Sequence, residues 1–431
     1  MPATYSSPGV YVEDVPPISR PIAGVSTSTP GFIGVVLNSI KLPFLDKGEP
    51  KWITHTLAAK DGTAYRISSW ADYVRQFGDF VGTDYAAAKA ERDARAAAKA
   101  TAKAEGKEVD GDDEDEGEDP ETISDTGIIS EGQRILAHAV YGFFNNGGTN
   151  CYVVRIADAS TIDKALTALA AFEDISTVSF PGQTSHYAKI IAHADALQRF
   201  AILDLAVGSD VAALTSPPNS TYAGAYFPWL KVFDPAAAML KENDGIVVVP
   251  PSGHIAGIYA RSDAARGAYK APANEALSGV TALNGNITKA QQDVLNVAGI
   301  NAIRQLNGAL RVWGARTVGK QNGEYRYIST RRYFNYLRQS IDSGTQFVVF
   351  EPHTPALWQR VVRTLTDFLT NEWRAGALFG ETAKQAFFIK CDAETNPPER
   401  REQGQLIAEI GVAIVKPAEF VIFRIQQTSG S

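Results

Sequence analysis

Between residues 131 and 205 the sequence alternates helix-patterned and strand-patterned segments, and that order leaves few folds open. Glu131 to Phe144 reads as a helix, Asn145-Asn-Gly-Gly as a turn and Cys151 to Ile156 as a strand. Helix Thr161 to Phe172, strand Ser176 to Phe180, helix Ser185 to Gln198 and strand Phe200 to Leu205 follow. Ile162, Leu166 and Leu169 fall at helical spacing and give the second helix one apolar face. Parallel neighbours need a crossover about as long as a helix, so the alternation predicts a mostly parallel sheet covered by helices.

The flanking regions are organised differently. Gly24 to Leu37 reads as one or two strands, and a helix spans Ser69 to Phe77. A second unit starts near Gly245, where strand Ile246 to Val249 enters the turn-rich run Pro250-Pro-Ser-Gly-His-Ile-Ala-Gly, read as a loop before a helix at Ile258 to Ala264. Then come a loop through Pro272, a helix near Ala290 to Asn296, strand Leu310 to Trp313 and a long helix at Thr330 to Asp342. Strand Gln346 to Phe350, helix Pro355 to Ala375 and three closing strands complete the pattern: Ala386 to Cys391, Leu406 to Val415 and Phe420 to Ile425.

Both chain ends carry an isolated strand set off by breakers. Val10, Tyr11, Val12 and Glu13 lie between Pro8-Gly9 and Pro16-Pro17, and Glu419 to Gln427 follows Lys416-Pro417. A lone strand has to find ladder partners elsewhere. Two readings stay open from the pattern: the terminal strands close one subunit's own sheet, or they cross to a neighbouring subunit and stitch a polymer.

Composition narrows the class. With 431 residues, 45% of them hydrophobic, the chain can build two or three domains with real cores. No apolar run approaches the roughly 20 residues that span a bilayer, and the N-terminus lacks the pattern of a signal peptide. Cys151 and Cys391 are far apart in apolar runs, which reads as buried free thiols made in a reducing cytoplasm, without metal-ligand spacing. The net charge of −7 sits entirely in Ala86 to Glu121, with thirteen Asp/Glu against six Lys/Arg. Ala86 to Lys107 reads as a helix without an apolar stripe, and the acidic run from Asp110 reads as a solvated surface excursion. As an EF-hand it fails: a loop begun at Asp112 has Gly117 in place but Ile123 where a bidentate Glu is required.

The motifs of dinucleotide, phosphate-loop, zinc-protease, hydrolase-elbow and thiol-redox chemistry are absent from the sequence. Ser252 and His254 are the nearest thing to a nucleophile and base, and they carry the alternative reading of an α/β hydrolase against that of a turn. Arg331 and Arg332, with Tyr327, Tyr333 and Tyr336, suggest either a nucleic-acid face or helix packing and inter-subunit ion pairs; a neutral body favours the second.

Taken together, several ordered stretches resemble the contractile tail sheath proteins of phage tails, pyocins and injection systems. They are Ser7-Pro-Gly-Val-Tyr-Val-Glu-Asp, Phe143-Phe-Asn-Asn-Gly-Gly with Cys151-Tyr-Val-Val-Arg, and Val249-Pro-Pro-Ser-Gly-His-Ile-Ala-Gly-Ile-Tyr-Ala-Arg-Ser-Asp. Lys270-Ala-Pro-Ala-Asn, Gly299-Ile-Asn-Ala-Ile-Arg, Val312-Trp-Gly-Ala-Arg-Thr, Arg331-Arg332, Phe350-Glu-Pro, Gly376-Ala-Leu and Pro417-Ala-Glu-Phe-Val-Ile-Phe-Arg continue the series. Only Lys41 to Ile67 and the charged insert fall outside it.

The resemblance implies an α/β (α+β overall) chain: an N-terminal arm (1–20), a first part of the sheath core (21–68), an inserted α/β domain (69–240, with the acidic insert 86–121) and a subtilisin-like core region (241–318). A C-terminal domain of β-sheet plus helices (319–417) and a C-terminal arm (418–431) complete it. It further implies hexameric rings stacked helically around an inner tube, with baseplate and terminator or cap proteins as further partners. Contraction drives the tube through an envelope, without cofactor, metal, nucleic acid or direct membrane insertion. Synthesis is expected in the cytoplasm, the product being part of a phage tail or tail-like particle. Inter-subunit strand exchange falls to Val10, Tyr11, Val12 and Glu13 and to Phe420, Val421, Ile422 and Phe423. Helix Pro355 to Ala375 turns Leu357, Val361, Leu365 and Phe368 inward, leaving Arg360 and Arg363 as candidate contacts to the tube.

Overall fold

The structure is a computed structural model that describes residues 21–46, 48–82, 123–124, 126–208, 210–319, 323–420 and 422. The acidic insert and most of both arms lie outside these residues. In chain order the strands are β1 (Pro30–Val35), β2 (Ser39–Asp46), β3 (Glu49–Thr56), β4 (Ala64–Ile67), β5 (Ile123–Ser124), β6 (Cys151–Ile156), β7 (Thr177–Ser179) and β8 (Phe200–Asp204). They continue with β9 (Ala223–Phe227), β10 (Leu230–Phe233), β11 (Ile246–Val249), β12 (Ala282–Leu283), β13 (Ile300–Leu306), β14 (Ala309–Trp313), β15 (Phe387–Lys390) and β16 (Glu409–Val412). The helices used below are α1 (Trp70–Phe77), α2 (Glu131–Asn145), α3 (Ile162–Ala170), α4 (Tyr187–Ala196), α5 (Pro235–Met239), α6 (Ser252–Arg266), α7 (Lys289–Val297), α8 (Ile328–Gly344) and α9 (Pro355–Arg374).

The chain divides into two compact units. The larger takes in Val25–Tyr336 and the chain from Lys416; the smaller contains residues 21–24 and Leu337–Val415. Helix α8 begins in the first and ends in the second.

The larger unit is built on an eight-stranded sheet of order β14-β13-β9-β8-β7-β1-β6-β4. From β13 through β6 neighbouring strands run parallel, and only the two edge strands, β14 and β4, are antiparallel. This is the sheet that the helix–strand alternation predicts. Successive side chains of a strand point to opposite faces, and in β1 Phe32 and Ile33, both fully buried, belong to different cores. Phe32 belongs to the core that includes Leu136, Val140 and Phe143 of α2 and Ile255 and Ile258 of α6. Ile33 belongs to the core that includes Ile162, Leu166 and Leu169 of α3, Ile190 of α4 and Leu295 of α7. Helices therefore cover both faces. Two small sheets accompany this layer structure, of order β2-β3-β5 and β11-β10-β12.

Several segments depart from the sequence expectation. The run after Val249 is not a loop: α6 begins at Ser252, because Pro250 and Pro251 sit outside the first turn, where no amide donor is needed. Gln346 to Phe350 is not a strand but a short 3-10 turn, Gln346–Val348, ending at Phe350 with a positive φ of 66°. The β2–β3 hairpin, β9, β10 and β13 lie where the sequence pattern assigns no strand. Of the three closing strands, two form the antiparallel pair β15–β16, and Phe420 to Ile425 lies largely outside the described residues.

Helices α2 and α6 approach so closely that only glycine fits between them. A Cβ on Gly253 would lie 2.2 Å from the Ala139 carbonyl oxygen, and one on Gly257 would lie 2.4 Å from that of Phe143. Both clashes are with backbone, which cannot swing aside. Gly253→Ala should therefore destabilise the protein by about 1–3 kcal/mol, although alanine by itself favours helix by about 1 kcal/mol. Urea denaturation measures this, and a stabilised variant would show that the helices do not pack at this distance.

Candidate functional site: the Ser252 cluster, the buried arginines and the C-terminal surfaces

The structure separates Ser252 from His254. Two residues apart on one helix, they project about 200° from each other. Ser252 is fully buried; its Oγ donates to Asp204 Oδ2 at 2.6 Å and its backbone N–H to Asp204 Oδ1 at 2.8 Å. Gly182 N–H donates to the same carboxylate at 3.0 Å. Asp204, at the end of β8, thus caps α6 from 48 residues upstream. The His254 ring lies against Gly142 of α2, and its Nδ1 has no hydrogen-bond partner among the described residues. The hydroxyl is bonded to a carboxylate and closed off from solvent, so the pair is not a nucleophile and base.

Nearby, His138 Nε2 meets Asp234 Oδ2 at 2.9 Å, and Arg134 Nε lies 3.4 Å from the same oxygen. Asp234 also accepts from Ala237 N–H as the cap of α5. Burial raises the Asp204 carboxyl to about 6 against the opposing hydrogen bonds from Ser252 and Gly182. Burial, then the charge of His138, pushes His254 down to about 3.

Arg331 and Arg332 are both buried, which overturns the nucleic-acid face and leaves helix packing. The Arg331 guanidinium sits 3.5 Å from the centroid of the Tyr325 ring and 4.3 Å from that of Tyr222, and donates to Thr221 Oγ1 at 3.0 Å. Arg332 forms a fork on Asp263 of α6, at 3.0 and 2.5 Å.

In the smaller unit, Leu357, Val361, Leu365 and Phe368 of α9 are buried as the spacing predicts. The structure does not leave Arg360 and Arg363 equivalent. Arg360 turns to Glu351 at 3.2 Å and lies 5.0 Å over the Phe347 ring, whereas Arg363 is exposed. The sheet β15–β16 packs against α9 and presents Phe388, 58% exposed, across from Gly411. Of the strand-exchange candidates, Val10, Tyr11, Val12, Glu13, Val421 and Phe423 lie outside the described residues; Phe420 and Ile422 are exposed. Glu419, which was not singled out for a role of its own, is held by Arg316, Asn296 and Tyr327. Its only signal in the sequence was the Pro417-Ala-Glu-Phe run.

Comparisons with known proteins agree with this mixed α/β architecture. Residues 158–318 match the phage tail sheath protein central domain and residues 320–428 the phage tail sheath C-terminal domain. Together the two matches take in more than half of the chain. A putative prophage major tail sheath protein of Pseudomonas aeruginosa (strain UCBPP-PA14) is 26% identical over 260 residues, 58% of this chain and 64% of that one. A chain of the extracellular contractile injection system PVC sheath complex in its contracted state is 25% identical, with a TM-score of 0.68 and 99% of each chain covered. A chain of the anti-feeding prophage baseplate, 6-fold symmetrised, is 26% identical with a TM-score of 0.65, covering 99% of this chain and 100% of that one. The matches span less than two thirds of the length of the curated relatives. This chain belongs to the contractile tail sheath family.

The buried titratable groups set a pH dependence. A raised Asp204 contributes stability that is present below pH 3.8 and lost as pH rises through about 6. The depressed His254 does the reverse: its contribution is present above pH 6.5 and is lost as pH falls toward about 3. Between roughly pH 6 and 4 the two offset each other. Asp204→Asn removes the offset, so stability should fall more steeply across that window than in the wild type, by about 1.4 kcal/mol per pH unit. Urea midpoints at each pH measure the slope, and parallel curves would mean that Asp204 does not titrate there.

Proposed function

We propose that this chain is the structural subunit of a contractile sheath, polymerising as stacked hexameric rings around an inner tube and shortening to drive the tube through a target envelope. The observation that carries the reading is the pair β15–β16. This two-stranded sheet has no further strand on its outer edges among the described residues. Free edges are templates for added strands, and the terminal segments at 10–13 and 420–423 have the sequence pattern of strands. A neighbour's arms supply what the edges lack. The six-fold baseplate assembly that contains a similar chain supports ring symmetry and baseplate association.

The stroke in this reading needs no bound nucleotide. Two packings of one subunit differ in energy, and assembly on tube and baseplate holds the higher one until release. No catalytic step is assigned to Ser252 or His254. Synthesis is cytoplasmic in this reading, and the other partners are the tube and the terminator or cap proteins.

Two experiments test separate parts of this reading. Replacing Val10 and Val12 together with proline removes two amide donors from the arm. The variant should stay folded and monomeric while wild type forms sheaths under negative stain; sheaths of normal length would exclude arm exchange at these residues. For the tube, Arg363 is the cleaner probe, since Arg360 already pairs with Glu351. Each exposed ion pair contributes only about 0–1 kcal/mol, but ring symmetry repeats it many times over. Arg363→Glu should shift particles toward empty or contracted sheaths, and a normal yield of extended, tube-filled particles would place the contact elsewhere.

A further inference from the structure

We infer that the beginning of α8 is the anchor to which both terminal arms are tied, and that the Glu419 carboxylate is the tether of the C-terminal one. This rests on the sheath reading and adds to it the residues through which tension in the arms enters the body of the subunit.

Glu419 receives four hydrogen bonds. Its Oε1 accepts from Arg316 Nε at 2.8 Å and from Asn296 Nδ2 at 2.9 Å; its Oε2 accepts from Arg316 Nη2 at 2.8 Å and from the Tyr327 hydroxyl at 3.1 Å. The donors are themselves fixed: Arg316 Nη1 donates to the Asn296 carbonyl at 2.9 Å, and Arg316 and Tyr327 face each other in an antiparallel bridge. The ion pair is largely buried, with side chains 16% and 19% exposed. Immediately beyond it Phe420 and Ile422 are open to solvent. A strand pulled by a neighbour transmits tension back along its backbone to the first group fixed in the body. At this end that group is Glu419, held by a two-pronged charge-assisted bond, among the strongest single attachments a side chain makes.

At the other end of the chain residues 21–24 group with the smaller unit, Ile22 lying against Gly344 at the end of α8, and Thr27 is then tied near the start of the same helix. Arg332 Nη2 donates to the Thr27 carbonyl at 2.8 Å while gripping Asp263, and Thr27 Oγ1 donates to Asp263 Oδ2 at 2.7 Å. Tyr327 accepts the first helical hydrogen bond of this segment, from Arg331 N–H. Between Tyr327 and Arg332 lies Arg331, clamped by Tyr325 and Tyr222. One short stretch, 327–332, thus contacts both tethers and is stiffened by a cation between two rings. Helix α8 then runs on into the smaller unit that carries β15–β16. Pull on either arm therefore meets the same helix.

The test uses the full chain, produced with its tube. Glu419→Gln keeps the shape but loses the charge and sets an amide against one donor; Arg316→Lys keeps the charge but loses the fork. Both variants should fold, form rings and give contracted sheaths at least threefold shorter than wild type after mild shear, with Glu419→Gln the more severe. In the isolated subunit, thermolysin should clip the chain after Lys416 at least fivefold faster in Glu419→Gln, with cleavage before Thr27 unchanged. Arg332→Lys should show the opposite pattern. Wild-type sheath length and clipping rates in both Glu419→Gln and Arg316→Lys would overturn the tether, and unchanged clipping before Thr27 in Arg332→Lys would overturn the shared anchor. Failure of the wild-type chain to polymerise at all would instead sink the sheath reading, so the two failures are told apart.

Discussion

A parallel sheet exposes two apolar faces and has to be covered on both. In this chain that requirement sets almost everything else. Every residue of β6 and β8 is buried, so helices must lie close on either side. On one face the cover is α2 with α6, and the glycines at 253 and 257 let their backbones come nearly into contact. A tight helix pair leaves little room for water, so most polar groups caught in it find protein partners, His254 Nδ1 being an exception among the described residues. Asp204 answers for the first turn of α6, and Asp234 answers for His138 and the first turn of α5. The cluster that resembled a hydrolytic pair in sequence is the polar accounting of a close helix contact.

The same economy explains the buried arginines. Removing a guanidinium from water is costly unless its donors and its charge are met. Arg332 is met by Asp263 and the Thr27 carbonyl, and Arg331 in part, by two aromatic faces and a threonine hydroxyl, its Nε having no hydrogen-bond partner among the described residues. Such attachments fix Thr27 and Glu419, in the segments leading to the chain ends, to the body without adding a strand to the main sheet. In the sheath proposed above, a subunit that stays linked to its neighbours while moving against them would need this division: a stiff body, and connections whose roots do not slip. Membership of the tail sheath family and the geometry at Thr27 and Glu419 fit together on that ground.

Much of the layered unit was legible beforehand. The helix at 131–145, the strand at 151–156 and the helix at 162–170 follow from periodicity and turn residues, because local preference and tertiary burial agree there. The apolar stripe of α9 was legible for the same reason. Where local preference is ambiguous, the pattern misled. Gln346 to Phe350 has the composition of a strand, yet it turns, with Arg360 lying over Phe347 and paired with Glu351 just past its end. Pro250-Pro-Ser-Gly reads as a loop by turn chemistry, and becomes a helix start because its cap is Asp204, far away in sequence. The pairing of Arg360 rather than Arg363 likewise depends on a neighbouring loop that spacing along the helix does not describe.

By itself, the sequence determined the parallel α/β layering, the breaker-flanked segments at both ends, the lack of familiar catalytic motifs and a family resemblance spread over nearly the whole chain. These are matters of period, breakers and residue type, all read within about ten residues of one another. Only the tertiary structure decided which polar groups are buried and with whom. Ser252 is bonded to Asp204 and not to His254, Arg332 to Asp263 and Thr27, and Glu419 to Arg316. The partners lie 48, 69, 305 and 103 residues apart. At such separations no periodicity links them, and what brings them together is the packing of helices against a sheet that must be covered on both sides.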